Sequence, residues 1–62
     1  MSLGGLVMRK AIYTVSFQFY GIDASHTCIA TSVLGALYKA LEAWELQQGE
    51  IVNVKVDFEG WA

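Results

Sequence analysis

The chemically reactive side chains of this chain are concentrated in one stretch. Gly21-Ile22-Asp23-Ala24-Ser25-His26-Thr27-Cys28 holds the sole histidine, the sole cysteine, a carboxylate and two hydroxyls. Cys28, His26 and Asp23 are the types of a nucleophile, a base and an orienting acid. If this stretch opens a helix, the free N–H groups there favour a thiolate and can hold an anion. An enzyme using Cys28 and His26 at a helix N-terminus is therefore one reading. Spacing works against it, because residues two apart do not share a helical face. Thiol and imidazole would meet only if His26 stayed outside the helix and folded back. In the plainer reading Asp23 and Ser25 cap, Thr27 bonds locally, His26 faces solvent and Cys28 is a small buried apolar group. No catalytic residue is assigned. Asp23, Ser25, His26 and Cys28 are kept as candidate ligand or partner contacts.

Metal chemistry needs more than this stretch offers. His26 with Asp23, or with Cys28, gives two ligands at most, and a closed site needs about four. Gly4–Gly5 lacks the lysine and helix pattern of a phosphate loop. No metal and no cofactor is expected.

The element that must position the cluster is the segment Thr27 to Gln48. On a helical wheel Ile29, Ala40, Val33, Trp44, Leu37, Ala30, Leu41 and Leu34 share a broad apolar arc. Tyr38, Thr31, Glu42, Gly35, Lys39 and Ser32 lie opposite. That is the period of a helix laid on a sheet. Asp23 or Ser25 is the expected N-cap, and Gly49 the expected left-handed terminator. Gly35 falls on the polar side, where Ala would be better by about 1 kcal/mol. It is either tolerated or marks the close approach of another backbone. Tyr38 and Leu46 are near it, so Gly35, Tyr38 and Leu46 form a candidate contact surface.

Strands are expected on both sides of that helix. From about Val7 to Tyr20, Ala11, Tyr13, Val15, Phe17 and Phe19 alternate with Lys10, Ile12, Thr14, Ser16 and Gln18. The first set should face the helix. From Glu50 to Glu59 the expected buried row is Val52, Val54, Val56 and Phe58, and the outer row Asn53, Lys55, Asp57 and Glu59. Residues 1–6 are expected to be flexible. The predicted fold class is α/β (α+β): a β-α-β unit in one domain over residues 1–62. One long amphipathic helix packs on a small sheet that a symmetry-related subunit completes. If the two strands were adjacent, a helical crossover would make them parallel.

Composition supplies the argument for a second subunit. Hydrophobic residues are 55% of only 62, more than one helix on two strands hides. A lone cysteine makes no internal disulfide. Two strands under one helix leave open edges, guarded mid-strand by Lys55 alone. A homodimer is the first choice of assembly, with Tyr20 and Trp61 joining Gly35, Tyr38 and Leu46 as candidate interface. Four basic and six acidic residues give a net charge of −2. The one basic pair, Arg9–Lys10, argues against gripping phosphate, and no basic–aromatic alternation supports stacking on bases. No apolar run is long enough for a bilayer. Met1 to Met8 lacks the basic region and cleavage site of a signal peptide, and the lone cysteine fits a cytoplasmic setting.

The function expected on these grounds is a small homo-oligomeric protein–protein interaction module, an adaptor, inhibitor or accessory protein without catalysis of its own. One alternative is a small-molecule carrier whose aromatic-lined cavity, near Trp44 or Trp61, lies between subunits. The other is the Cys28–His26 enzyme.

Overall fold

The chain reverses direction at Tyr20 and Gly21. Both have positive φ, 49° and 79°, as the two-residue turns that match strand twist require. The turn joins β1 (Ala11–Phe19) to β2 (Ile22–Ala30) in an antiparallel hairpin paired from Phe19↔Ile22 to Ala11↔Ala30. A helix, α1 (Val33–Trp44), follows, then one 3-10 turn (Gln48–Glu50) and β3 (Ile51–Trp61). This computed structural model describes residues 9–62. The flexibility expected of residues 1–6, and a β1 start at Val7, fall outside them.

Strand order is β2-β1-β3, with β1 in the centre and antiparallel to both neighbours. The fold is a mixed α+β arrangement of one helix on an open three-stranded sheet. Helical expectation fails from its proposed start at Asp23 or Ser25 through Ala30, which belong to β2. Ile29 and Ala30 fit an apolar arc of either period, and pairing along all of β1 decides for strand. β2 alternates like one, with Ala24, His26, Cys28 and Ala30 less exposed than Asp23, Ser25, Thr27 and Ile29. The third strand thus comes from within the chain. β1 and β3 are adjacent but antiparallel, because the hairpin turns the chain before the helix carries it across.

The helix is shorter than predicted at both ends. Ser32, not Asp23 or Ser25, is the N-cap, its Oγ accepting from Gly35 N–H at 3.0 Å. Glu45, not Gly49, is the left-handed terminator (φ 54°, ψ 42°). Glu45 N–H bonds Glu42 O at 3.1 Å and Leu46 N–H bonds Leu41 O at 2.9 Å. This crossed pair satisfies the last carbonyls and folds Leu46 back onto the core beside Leu41. Leu46 is therefore not the stranded surface residue its wheel position implied.

The core lies between α1 and one side of the sheet. Ala11, Tyr13, Val15 and Phe17 are buried there, as their alternation predicts, with Ala30, Ala36, Ala40, Leu41 and Ile51. Phe17 and Phe19 meet the edge of Trp44 at 5.9 and 5.5 Å.

β3 departs from its simple alternation because it carries two bulges, one opposite Ile12/Tyr13 and one opposite Ser16/Gln18. The second contains Asn53, left-handed at φ 54°, a conformation Asn tolerates better than most residues. Across it the inward parity flips. Ile51, paired with Phe19, is buried, while Val52, paired with Gln18, sits with that glutamine on the open side. Of the expected buried row, Val52, Val54 and Phe58 are exposed and only Val56 is partly covered.

Candidate functional site

The hairpin separates the reactive cluster onto two sides of a sheet. His26 pairs with Val15 and Cys28 with Tyr13, so both lie on the helix side. Asp23 and Ser25 pair with Gln18 and Ser16 on the open side. The helix N-terminus thought to activate Cys28 begins instead at Val33. Residues i and i+2 of a strand do share a side, but about 7 Å apart by the strand rise, beyond direct proton transfer. The half-buried Cys28 thiol donates to Ala36 O at 3.7 Å, which ties β2 to the helix. The four residues are not one site.

The open side is a polar surface knitted across all three strands. Asn53 Nδ2 donates to Gln18 Oε1 (2.5 Å) and Gln18 Nε2 to Asp23 Oδ1 (2.6 Å). Thr14 and Thr27 hydroxyls meet at 3.2 Å, and Lys55 stands 3.8 Å from Asp57. Ser16, Gln18, Asp23, Ser25, Asn53 and Lys55 rim a shallow depression. Its groups largely satisfy one another. Among the described residues no three His, Cys, Asp or Glu side chains gather as a metal site, and no helix is long and apolar enough to cross a membrane.

The helix side is covered unevenly. Gly35 lies near β2, its missing Cβ pointing 3.1 Å from Ser32 Oγ and 3.8 Å from Ala30 Cβ. Lys39 Nζ bonds Ile29 O on β2. The flank of α1 bearing Gly35 and Lys39 therefore overlies β2. Leu34, Leu41 and Tyr38 lie on the other flank of the helix. Leu34 and Tyr38 are half exposed.

On β3 large apolar side chains stay partly at the surface. Val54 is 41% exposed, Phe58 52% and Trp61 53%. Phe58 packs edge-on to Tyr13 at 5.9 Å and to Trp61 at 5.1 Å, and the Arg9 guanidinium lies 4.4 Å from the Trp61 ring centre. Trp61 thus finds partners inside the chain yet leaves half its surface free. Val54, Phe58 and Trp61 make an exposed apolar strip on the helix side of β3. Single-period reading hid it by assigning Val54 and Phe58 to the core. The signal in the sequence was Asn53, a residue suited to a bulge.

Tyr20 is the most exposed of these large side chains. Its hydroxyl donates to Glu50 Oε2 at 2.6 Å, and Glu50 Oε1 accepts from Gln47 N–H at 2.8 Å. The Tyr20 hydroxyl's bond holds the Glu50 carboxyl below its usual range, helped by the Gln47 amide. The same hydrogen bond, then the carboxylate's charge, pushes the Tyr20 phenol up. Tyr20 is an anchor between the hairpin turn and the start of β3.

No protein-family model, no curated protein and no solved structure matches this chain.

Proposed function

We propose that the chain is a small homo-oligomeric protein–protein interaction module with no catalytic activity of its own. The observation that carries this reading is the apolar strip of Val54, Phe58 and Trp61 on β3, lying beside an open sheet edge. Contiguous exposed apolar surface of this kind marks contact sites, and an open edge supplies main-chain bonds to a partner strand. The separation of Asp23 and Ser25 from His26 and Cys28 favours binding over catalysis. The free thiol Cys28 fits a reducing compartment such as the cytoplasm.

Sedimentation velocity on the full chain over the micromolar range tests the reading, alongside Val54→Lys/Phe58→Lys. Both substituted side chains are half exposed, so helicity by circular dichroism should persist. The natural chain should sediment above the monomer, and the variant should shift toward monomer. A natural chain that stays monomeric at a hundred micromolar would remove the proposal.

A further inference from the structure

We infer that the strip's partner is a second copy of this chain, joined antiparallel along β3 with a two-fold axis through Val56. The inference rests on the interaction-module reading above and names its partner.

Backbone parity selects the residues that can pair. A two-residue hairpin closes on a hydrogen-bonded pair, here Phe19↔Ile22. Bonding direction then alternates along β1, so Ile12, Thr14, Ser16 and Gln18 turn their backbones toward β3. Ala62 N–H bonding Lys10 O at 3.0 Å follows the same parity. On β3 their partners Asp57 and Lys55 therefore bond inward. Val56 and Phe58 therefore direct N–H and C=O outward at the free edge, with Val54 next in line at the rim of the second bulge. Regular pairing runs only from Lys55 to Phe58, so the template is short. A bulge-bounded edge admits one mate and resists continuing into a fibre.

Charge selects the register. With the axis at Val56, that residue exchanges both main-chain bonds with its copy. Val54 does the same with the partner's Phe58. Lys55 then stands opposite the partner's Asp57, and symmetry repeats the pair. With the axis at Lys55 or at Asp57 two like charges would face each other, which destabilises an antiparallel pair. The apolar pairing lies on the helix side, where Val54 and Phe58 stay partly at the surface. The other edge suits a partner less: its Ile29 carbonyl is already held by Lys39.

The test uses cysteines at the charged positions, both exposed (Lys55 74%, Asp57 46%). Residues opposite each other in a non-hydrogen-bonded pair come close enough for a disulfide. Chains carrying Lys55→Cys are mixed with chains carrying Asp57→Cys under mild oxidation, and peptide mapping locates the bond. A covalent heterodimer joined 55 to 57, with little product from either variant alone, is expected. Self-coupling of Lys55→Cys as efficient as the mixed product would overturn the register. An oligomer lacking the 55–57 bond would overturn the inference and leave the interaction module standing. A monomer at every concentration would overturn both. Independently, Asp57→Lys should weaken association roughly tenfold, and Lys55→Asp/Asp57→Lys should restore it to within about threefold. An unchanged dissociation constant for Asp57→Lys would count against the inference.

Discussion

β2 and β3 flank the same central strand, yet they are finished differently. β2 presents Asp23, Ser25 and Thr27 on the open side, lies beneath the helix on the other, and has its edge held by Lys39. β3 is the longer, is bulged twice, and turns Val54, Phe58 and Trp61 to solvent on its helix side. Among the described residues, one edge is capped at Ile29 by Lys39 and the other has no such cap. The amount of apolar material is therefore less informative than its placement: β3 leaves Val52, Val54, Phe58 and Trp61 exposed, against Ile22 and Ile29 on β2.

The largest effect expected comes from truncating matched aromatics at the two ends of that contrast. Phe17, 3% exposed and packed against Trp44, should cost about 3–5 kcal/mol as Phe17→Ala. Phe58→Ala should cost about 1 kcal/mol in dilute solution, since half its surface is already wet. Urea unfolding at two protein concentrations measures both. Equal losses at low concentration would show β3 to be as well covered as β1 and would abolish the contrast.

Much of this contrast escaped sequence reading for a local reason. β1 was legible because every second residue from Ala11 to Phe17 enters the core without interruption. The helix centre was legible from Ala40 and Leu41, whereas Ala36, buried with them, lay outside the predicted apolar arc. β2 was not, because Ile29 and Ala30 satisfy both periods and Asp23, Ser25 and Thr27 all suit helix caps. Only its pairing with β1, a non-local fact, decides the matter. On β3 the alternation looked cleanest and misled most, since Asn53 shifts the parity within the run. The candidate site fared likewise. Side chains adjacent in sequence were assigned to one loop, and a strand sends neighbours to opposite sides.

Helix ends sharpen the comparison at about 1 kcal/mol. Ser32→Ala removes the cap beside β2 and should cost about 1 kcal/mol. Glu45→Gly relieves a left-handed residue at the turn leading to β3. It should gain about 0.5–1 kcal/mol, because glycine's greater unfolded freedom offsets part of the relief. Thermal or urea midpoints check both, and a destabilised Glu45→Gly would show that the Glu45 side chain makes a contact worth more than its strain.

Lys39→Ala tests the finished edge directly. The ammonium holds an exposed carbonyl, so its loss should cost a few tenths of a kcal/mol. The larger consequence should be in association. With the β2 edge released, sedimentation should reveal species larger than those of the natural chain. A variant whose association is identical to the natural chain would mean that Lys39 does not guard this edge.

The smallest effect concerns the tie between the hairpin turn and β3. Glu50 is held below its ordinary 4.5 by the Tyr20 hydroxyl and the Gln47 amide. Its share of stability is present above that value and is lost as pH falls through the lowered one. Tyr20 is held above its ordinary 10.0. Its share is present below 10.0 and is lost as pH rises through the raised value. The tie should thus be whole between about pH 5 and pH 9.5 and weaken on both sides. Both groups lie at the surface, where solvent screens the pair, so the amplitude should be small. Urea midpoints of the natural chain and Tyr20→Phe, subtracted across pH, isolate it from the other carboxylates. The difference should shrink at both extremes, while in the variant the Gln47 amide keeps part of the acid limb. A difference that is flat with pH would mean the hydroxyl and carboxylate do not hold the turn to β3 in solution, leaving the free strand joined to the finished hairpin through the sheet alone.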